Sequence, residues 1–166
     1  MIRLLTLCGL SLLLASCGLQ PLYSGGSQGV VATTLGSVSV EPIEGKAGWL
    51  TRNALNDRLG ASGSNTPRYR LMVALDDQIE GFGVRADDTV TRERRTLRAR
   101  YQLIDNTTGA TLVDATAGSD AGIDVVSSEY ATIAGENSAL ENLSGRVAEQ
   151  IVTRLSLYAR QTNPDE

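Results

Sequence analysis

The chain has 166 residues, with 15 Lys and Arg against 19 Asp and Glu, so its formal charge at pH 7 is −4. This acidic balance disfavours non-specific binding to nucleic acid. Histidine is absent, which removes the usual general base near neutral pH and the commonest metal ligand. The composition therefore predicts a protein that is not an enzyme and that holds no metal and no cofactor.

The first 16 residues are typical of a bacterial lipoprotein signal peptide. Arg3 is the single charge before an apolar run from Leu4 to Leu14, which is too short to span a bilayer as a permanent helix. The run ends in Leu14-Ala15-Ser16-Cys17, the pattern of a lipobox, in which two small residues precede the cysteine that is acylated. We expect a mature chain that begins at a lipidated Cys17. The alternative is an ordinary signal peptide that contains a cysteine.

The mature chain is expected to form one domain. Cys8 leaves with the signal and Cys17 carries lipid, so neither a disulfide nor a thiolate nucleophile is available. Residues 17–35 are predicted to be a lipidated flexible tether, because their middle is a mixture of glycine and serine. Residues 36–160 are predicted to form a single α+β domain, and residues 161–166 a disordered tail.

The domain begins with a predicted strand and a predicted helix. Val38 and Val40 alternate with polar residues, which indicates a short strand that Pro42 stops. The helix is predicted over Ala47–Leu59, and Gly60 ends it. Its apolar face consists of Leu50, Ala54, Leu55 and Leu59.

Three further strands are predicted next. The first has one buried face, formed by Tyr69, Leu71, Val73 and Leu75. Residues 76–90 are predicted to be a long turn or a bent strand end, because they contain two glycines and two acid pairs. Alternation resumes over residues 91–104. Residues 105–109 are a hairpin-turn signal, and residues 110–126 should return antiparallel.

A long C-terminal helix completes the fold. Its apolar stripe at spacings of three and four consists of Leu140, Leu143, Val147, Ile151, Leu155 and Tyr158. The helix should start between Glu129 and Glu136 and end near Arg160. The element order predicts a four-stranded, mostly antiparallel sheet with two amphipathic helices packed on one face. The other face of the sheet is left open.

Arginines dominate the outward side of two predicted strands. Strand periodicity sends Leu97, Ala99 and Tyr101 towards the helices and the intervening arginines to the open face. Guanidinium groups suit bidentate contacts with phosphate and carboxylate groups. The candidate binding residues are Arg68, Arg70, Arg92, Arg94, Arg98 and Arg100. The alternative is a solvated sheet face that nearby acids balance.

The chain resembles the LPS-assembly lipoprotein family LptE, in its alphaproteobacterial form. The resemblance rests on Cys17-Gly18-Leu19-Gln20-Pro21-Leu22-Tyr23, on the strand that ends Ala99-Arg100-Tyr101-Gln102-Leu103, and on the C-terminal helix. That helix ends Ile151-Val152-Thr153-Arg154-Leu155-Ser156-Leu157-Tyr158. Leu19 stands where the family often has Phe.

The resemblance implies a lipoprotein of the outer membrane that is anchored at Cys17 and faces the periplasm. It also implies that the protein plugs the barrel of its partner LptD and helps to insert lipopolysaccharide into the outer leaflet. Lipopolysaccharide is then the expected ligand of the arginine face. The alternative is a scaffold or pilot lipoprotein for another envelope assembly or transport complex, which would not co-purify with a large outer-membrane barrel.

Overall fold

The computed structural model describes residues 29–60, 67–84 and 90–162. The predicted signal peptide, Cys17 and most of the predicted tether lie outside the described residues. No helix in the described part of the chain is long and apolar enough to cross a bilayer. The elements in chain order are helix α1 (Val30–Gly36), strand β1 (Val38–Val40), helix α2 (Gly45–Leu59), strands β2 (Tyr69–Val84), β3 (Val90–Asp105) and β4 (Thr111–Asp124), and helix α3 (Glu129–Thr162).

The four strands form one mixed sheet in the order β1-β2-β3-β4. Strands β2, β3 and β4 are antiparallel neighbours, whereas β1 runs parallel to β2 and pairs only with Tyr69, Arg70 and Leu71. Helix α2 supplies the crossover that a parallel pair needs. The predicted α+β class and the mostly antiparallel sheet are confirmed.

The helices and the sheet enclose one hydrophobic core. The sheet contributes inward side chains such as Leu71, Leu97 and Leu103, all fully buried. Helix α3 contributes a continuous buried stripe that includes Leu143, Val147, Ile151 and Leu155. Burial on one side of each strand confirms the predicted alternation and leaves the opposite side of the sheet uncovered.

The predicted boundary between the tether and the domain, at residue 35, lies too late in the sequence. Residues 30–36 form helix α1, and Val31 and Leu35 are buried in the core. These two side chains are four residues apart, so they share one face of the helix. The described residues therefore form three helices where two were predicted. At the other end, helix α3 continues to Thr162, so the first two residues of the predicted tail are helical.

The hairpin of β2 and β3 is longer than the sequence predicts. Residues 76–84 continue β2 as a regular strand, with partners along β3 from Arg98 to Val90. Ladder pairing overrides the weak strand preference of glycine and aspartate in this segment. Gly83 takes a positive φ of 77°, which is compatible with its place near the strand end. The acid pair at residues 87 and 88 lies outside the described residues.

The predicted turn between β3 and β4 is confirmed. The carboxylate of Asp105 accepts hydrogen bonds from the backbone N–H groups of Thr107 (2.7 Å) and Thr108 (3.1 Å). These bonds stabilise the charged form and lower the pKa of Asp105. Gly109 follows with a φ of 72°, and its N–H donates to the Asp105 carbonyl at 2.8 Å. The turn fixes how β4 pairs with β3.

Candidate functional site

The candidate site is the open face, by which we mean the side of the sheet that the helices do not cover. Arg92, Arg94, Arg98 and Arg100 of β3 are exposed on this face, with Arg70 half-buried on the neighbouring strand. Arg68 lies exposed just before β2. The structure thus places the predicted arginines on the predicted side, because residues two apart on a strand point the same way.

Carboxylates accompany the arginines on the open face. The Arg92 Nε lies 3.0 Å from an Asp124 carboxylate oxygen, and an Arg100 Nη lies 3.1 Å from Asp114. The face is therefore not uniformly basic. This is the charge balance described above as the alternative. Both carboxylates come from β4, whose register against β3 the sequence does not specify.

Arg100 is held firmly by its acidic neighbour. Two of its nitrogens donate to the two carboxylate oxygens of Asp114, at 3.3 and 3.1 Å, and Gln102 donates to the same carboxylate at 2.9 Å. The hydrogen bond to Asp114 raises the pKa of Arg100, and the bonds from Arg100 and Gln102 lower the pKa of Asp114. Both groups stay charged over the physiological range, so a ligand anion would compete with Asp114 for this guanidinium.

Arg94 and Arg98 differ from the other arginines of β3. Neither has a carboxylate within ion-pair distance among the described residues. The Arg94 guanidinium lies over the ring of Phe82, 5.3 Å from its centroid. The Arg98 side chain passes over Gly118, where an added Cβ would lie 3.1 Å from an Arg98 Nη. These two arginines are the cations of the face best able to accept an anionic ligand.

Two open grooves lie beside Arg100, and one of them also reaches Arg98. One has a volume of about 450 Å³, and its lining includes Ala74, Asp76, Arg98, Arg100, Thr116, Gly118 and Gln150. The other, of about 380 Å³, is lined by Met72, Val73, Ala74, Arg100 and Gln102. Cationic groups therefore stand beside small and apolar side chains, an arrangement that suits an anionic amphiphile. No cluster of metal-ligating side chains occurs in the described ranges.

Arg68 and Arg70 lie at one end of the face. Arg68 stacks on the Tyr69 ring at 5.1 Å and lies 4.0 Å from the Asp105 carboxylate. Arg70 donates to the Asn106 side chain at 3.5 Å. Arg70 lines a separate open groove with Met72 and Val73. Neither arginine lines the groove beside Arg98, so both flank the centre of the face.

Sequence reasoning missed Arg95, which points to the helix side. Its guanidinium donates to both Asp77 carboxylate oxygens, at 2.8 and 2.6 Å, and to the Glu136 carbonyl at 2.9 Å. The hydrogen bond to Asp77 raises the pKa of Arg95. The outward arginines of this strand all have even residue numbers, whereas Arg95 has an odd one. Strand alternation could therefore have placed Arg95 on the helix side. Arg95 links the N-terminal part of α3 to the sheet through Glu136. It is not available to a ligand on the open face.

Comparison with known proteins places the chain in a family context. A family model described as LptE, lipopolysaccharide-assembly, matches residues 35–155, which is well over half of the chain. Among curated proteins no sequence matches.

Several solved structures share the fold. A Caulobacter crescentus protein superposes with a TM-score of 0.69 at 24% identity, covering 82% of this chain and 99% of that one. A minor lipoprotein from Acinetobacter baumannii gives 0.59 at 17% identity, covering 72% and 90%. The rare lipoprotein B from Shewanella oneidensis gives 0.54 at 10% identity, covering 78% and 98%. At these identities the likeness concerns the fold alone.

Proposed function

The chain belongs to the LptE family of lipopolysaccharide-assembly proteins, and from this premise we propose that it is a non-enzymatic outer-membrane lipoprotein that plugs the LptD barrel. In this role it assists the insertion of lipopolysaccharide into the outer leaflet from the periplasmic side. The family match over residues 35–155 is the observation that carries the proposal. The lipobox at Cys17 supports the proposed lipid anchor, and the absence of histidine supports the proposed non-enzymatic role.

Lipopolysaccharide is proposed to bind the open face. Its phosphates and acidic sugars are the anions that guanidinium groups recognise. Arg94 and Arg98 would form the centre of the site, because they are exposed and have no ion-pair partner in the described ranges. Arg92 and Arg100 would contribute by releasing their ion pairs with Asp124 and Asp114 and binding ligand anions instead. Arg68 and Arg70 would flank the site.

Removing the two central arginines should weaken lipopolysaccharide binding. We expect Arg94→Ala/Arg98→Ala to lose at least roughly ten-fold in affinity, since a hydrogen bond to a charged group contributes about 1.5–3 kcal/mol. Binding should also weaken with salt, because the charges are exposed. The measurement is a titration of the folded variant, checked by circular dichroism, with labelled lipopolysaccharide.

A matched control removes the same charge from the helix side. Arg58 and Arg146 are exposed on α2 and α3, and Arg58→Ala/Arg146→Ala should bind lipopolysaccharide like the wild type. If the Arg94/Arg98 variant binds as tightly as the wild type, the arginine assignment is wrong, while the plug role is unaffected. If both double variants lose affinity equally, net charge and not the open face determines binding.

Membrane attachment should depend on Cys17. Two acyl chains suffice for stable anchoring, since each buried methylene contributes about 0.8 kcal/mol. We expect Cys17→Ala, expressed without its barrel partner, to leave the membrane fraction after a salt wash, and Cys8→Ala to remain membrane-bound. Fractionation followed by immunoblotting measures this. Retention of Cys17→Ala in washed membranes would show that the lipobox interpretation is wrong.

Affinity purification from detergent extracts tests the partner. Under the proposed function, a large outer-membrane barrel co-purifies with the tagged protein. Recovery with a different envelope assembly and without a barrel would instead favour the scaffold or pilot role.

A further inference from the structure

Within the described ranges, the outer edge of strand β2 is unpaired along most of its length. Strand β1 pairs only with residues 69–71, and the last contact is the hydrogen bond from the Glu41 N–H to the Leu71 carbonyl at 3.0 Å. The chain then turns at Pro42 into α2. From Met72 to Val84, no strand of the described ranges lies on that side of β2. This is a free edge of thirteen residues in a sixteen-residue strand.

The register shows which backbone groups point to the free edge. The Tyr69 N–H donates to Ser37 and the Leu71 carbonyl accepts from Glu41, so both residues direct their backbone towards β1. Backbone direction repeats every second residue along a strand. Val73, Leu75, Asp77, Ile79 and Gly81 therefore direct N–H and carbonyl groups outwards, where no described residue pairs with them.

The opposite edge of the sheet is closed at its middle. The Gln150 side-chain amide donates to the Gly118 carbonyl at 3.1 Å and accepts from the Gly118 N–H at 3.2 Å. It thus takes the place of a neighbouring peptide group halfway along β4, and α3 lies beside that strand. Exposed edges are templates for pairing, and proteins commonly cover them. The free edge of β2 has no such cover among the described residues.

The carboxylates along β2 indicate which kind of strand could pair with the free edge. Asp76 and Glu80 of β2 point to the open face, and Asp77 and Ile79 point to the helix side. A second copy pairing through β2 or β4 would bring more carboxylates against Asp76 and Glu80, because β4 carries Asp114, Asp120 and Asp124 on the same face. Like charges directly opposite each other are destabilising. Arg98 and Arg94 lie opposite Asp76 and Glu80 on β3, one strand further from the edge, so the charges nearest an added strand are the two carboxylates. The edge therefore disfavours self-association and favours a basic strand.

The helix side of the same edge is apolar except for Asp77, whose carboxylate is already paired with Arg95. Val73 and Leu75 are half-buried against the core, and Ile79 is 43% exposed. Side chains of an added strand that point to this side would extend the core across Ile79. We propose that β2, from Val73 to Gly81, receives an extended segment of a partner protein by β-augmentation, with Lys or Arg on its open-face side and apolar residues on its helix side. This inference goes beyond lipopolysaccharide binding and does not depend on it.

A blocked eight-residue peptide of alternating valine and lysine tests the proposal, with a peptide of alternating valine and glutamate as the control. The full-length protein in detergent is titrated, and amide hydrogen exchange is followed by NMR. We expect the lysine peptide to bind and to protect the amides of Val73, Leu75, Asp77 and Ile79. The glutamate peptide should not bind. Protection confined to β4, or no binding, would overturn the proposal.

A matched pair of variants separates backbone from side chain. Ile79→Pro removes an outward N–H without removing a bond to β3, because proline is tolerated where a strand N–H faces solvent. It should weaken peptide binding by roughly ten-fold, whereas Ile79→Ala, which keeps the N–H, should stay within roughly two-fold. Equal affinities for Ile79→Pro and the wild type would contradict the proposal.

Two further outcomes distinguish other occupants. Glu80→Lys should weaken binding of the lysine peptide, since it reverses a charge beside the added strand. Concentration-dependent dimerisation that protects the same four amides without peptide would overturn the assignment of a basic partner and show that a second copy is the occupant. Should Ile79→Pro fail to fold, the pattern of protected amides in the wild-type protein decides the question. Failure of the lipopolysaccharide titration would leave these outcomes unaffected.

Discussion

Ile151→Ala should lower the free energy of unfolding by about 2–5 kcal/mol, whereas Glu149→Ala should change it by less than about 0.5 kcal/mol. Ile151 is fully buried in the core, in the central part of α3. Truncating it removes contacts and leaves a cavity that the packed neighbours fill only in part. Since small domains are stable by about 5–15 kcal/mol, the loss would threaten folding.

Urea denaturation followed by circular dichroism in detergent measures the effect. Glu149 lies two residues earlier on the same helix and is exposed, so it controls for helix propensity and for handling. A clear shift in midpoint for Ile151→Ala with none for Glu149→Ala is the expected result. Equal shifts for the two variants would mean that α3 does not use this face to pack against the sheet.

Gly48→Ala should destabilise the domain by about 1–3 kcal/mol, although alanine favours helices more than glycine does. Gly48 is buried near the start of α2. An added Cβ would overlap the carbonyl oxygen of Ile43 and lie 2.6 Å from the carbonyl carbon. These are backbone atoms, so no side-chain rotation relieves the clash, and the entry of the chain into the helix would have to move.

Gly145→Ala is the matched control for Gly48→Ala, with an effect of opposite sign. Gly145 lies within α3, and the nearest atom to an added Cβ is the end of the flexible Arg58 side chain, at 3.7 Å. We expect a gain of about 0.5–1 kcal/mol, because alanine restricts the unfolded chain more than glycine. Thermal unfolding measures both variants. A Gly48→Ala variant as stable as the wild type would contradict the packing described at Ile43. Destabilisation by Gly145→Ala would contradict the open space described beside Gly145.

Sequence periodicity was sufficient for much of the sheet and for two of the helices. The alternation of Tyr69 and Leu71, and of Leu97 and Leu103, predicts the buried side of each strand correctly. The predicted helix at residues 47–59 begins two residues too late, and its end at Leu59 agrees with Gly60 in the left-handed conformation. Periodicity works here because one face of each element is buried and the other is exposed.

Periodicity failed where stability comes from distant parts of the chain. Helix α1 has only seven residues, too few for a helix to be stable alone, and it depends on burial of Val31 and Leu35 against other elements. Residues 76–84 are strand because residues 90–98 pair with them, although their glycines and acids favour turns. Neither partner is visible in the local sequence.

The candidate site shows the same division. Alternation along β3 is enough to predict the side of the sheet to which Arg94 and Arg98 point. The carboxylates of Asp114 and Asp124 that neutralise their neighbours follow from the register between strands, which the turn at Asp105 sets. The sequence therefore predicts where the arginines lie, but not which of them are free to bind an anion.

The contact between α1 and α3 joins the first described helix to the last, and this has a consequence for the timing of folding. The β2-β3-β4 meander pairs neighbours in sequence, so it can form as soon as its strands are available. Val31 and Leu35, by contrast, lack their full set of contacts until α3 has been synthesised and has packed against α1. A chain that stops before Glu129 would keep the apolar side of its sheet uncovered and would be prone to aggregation.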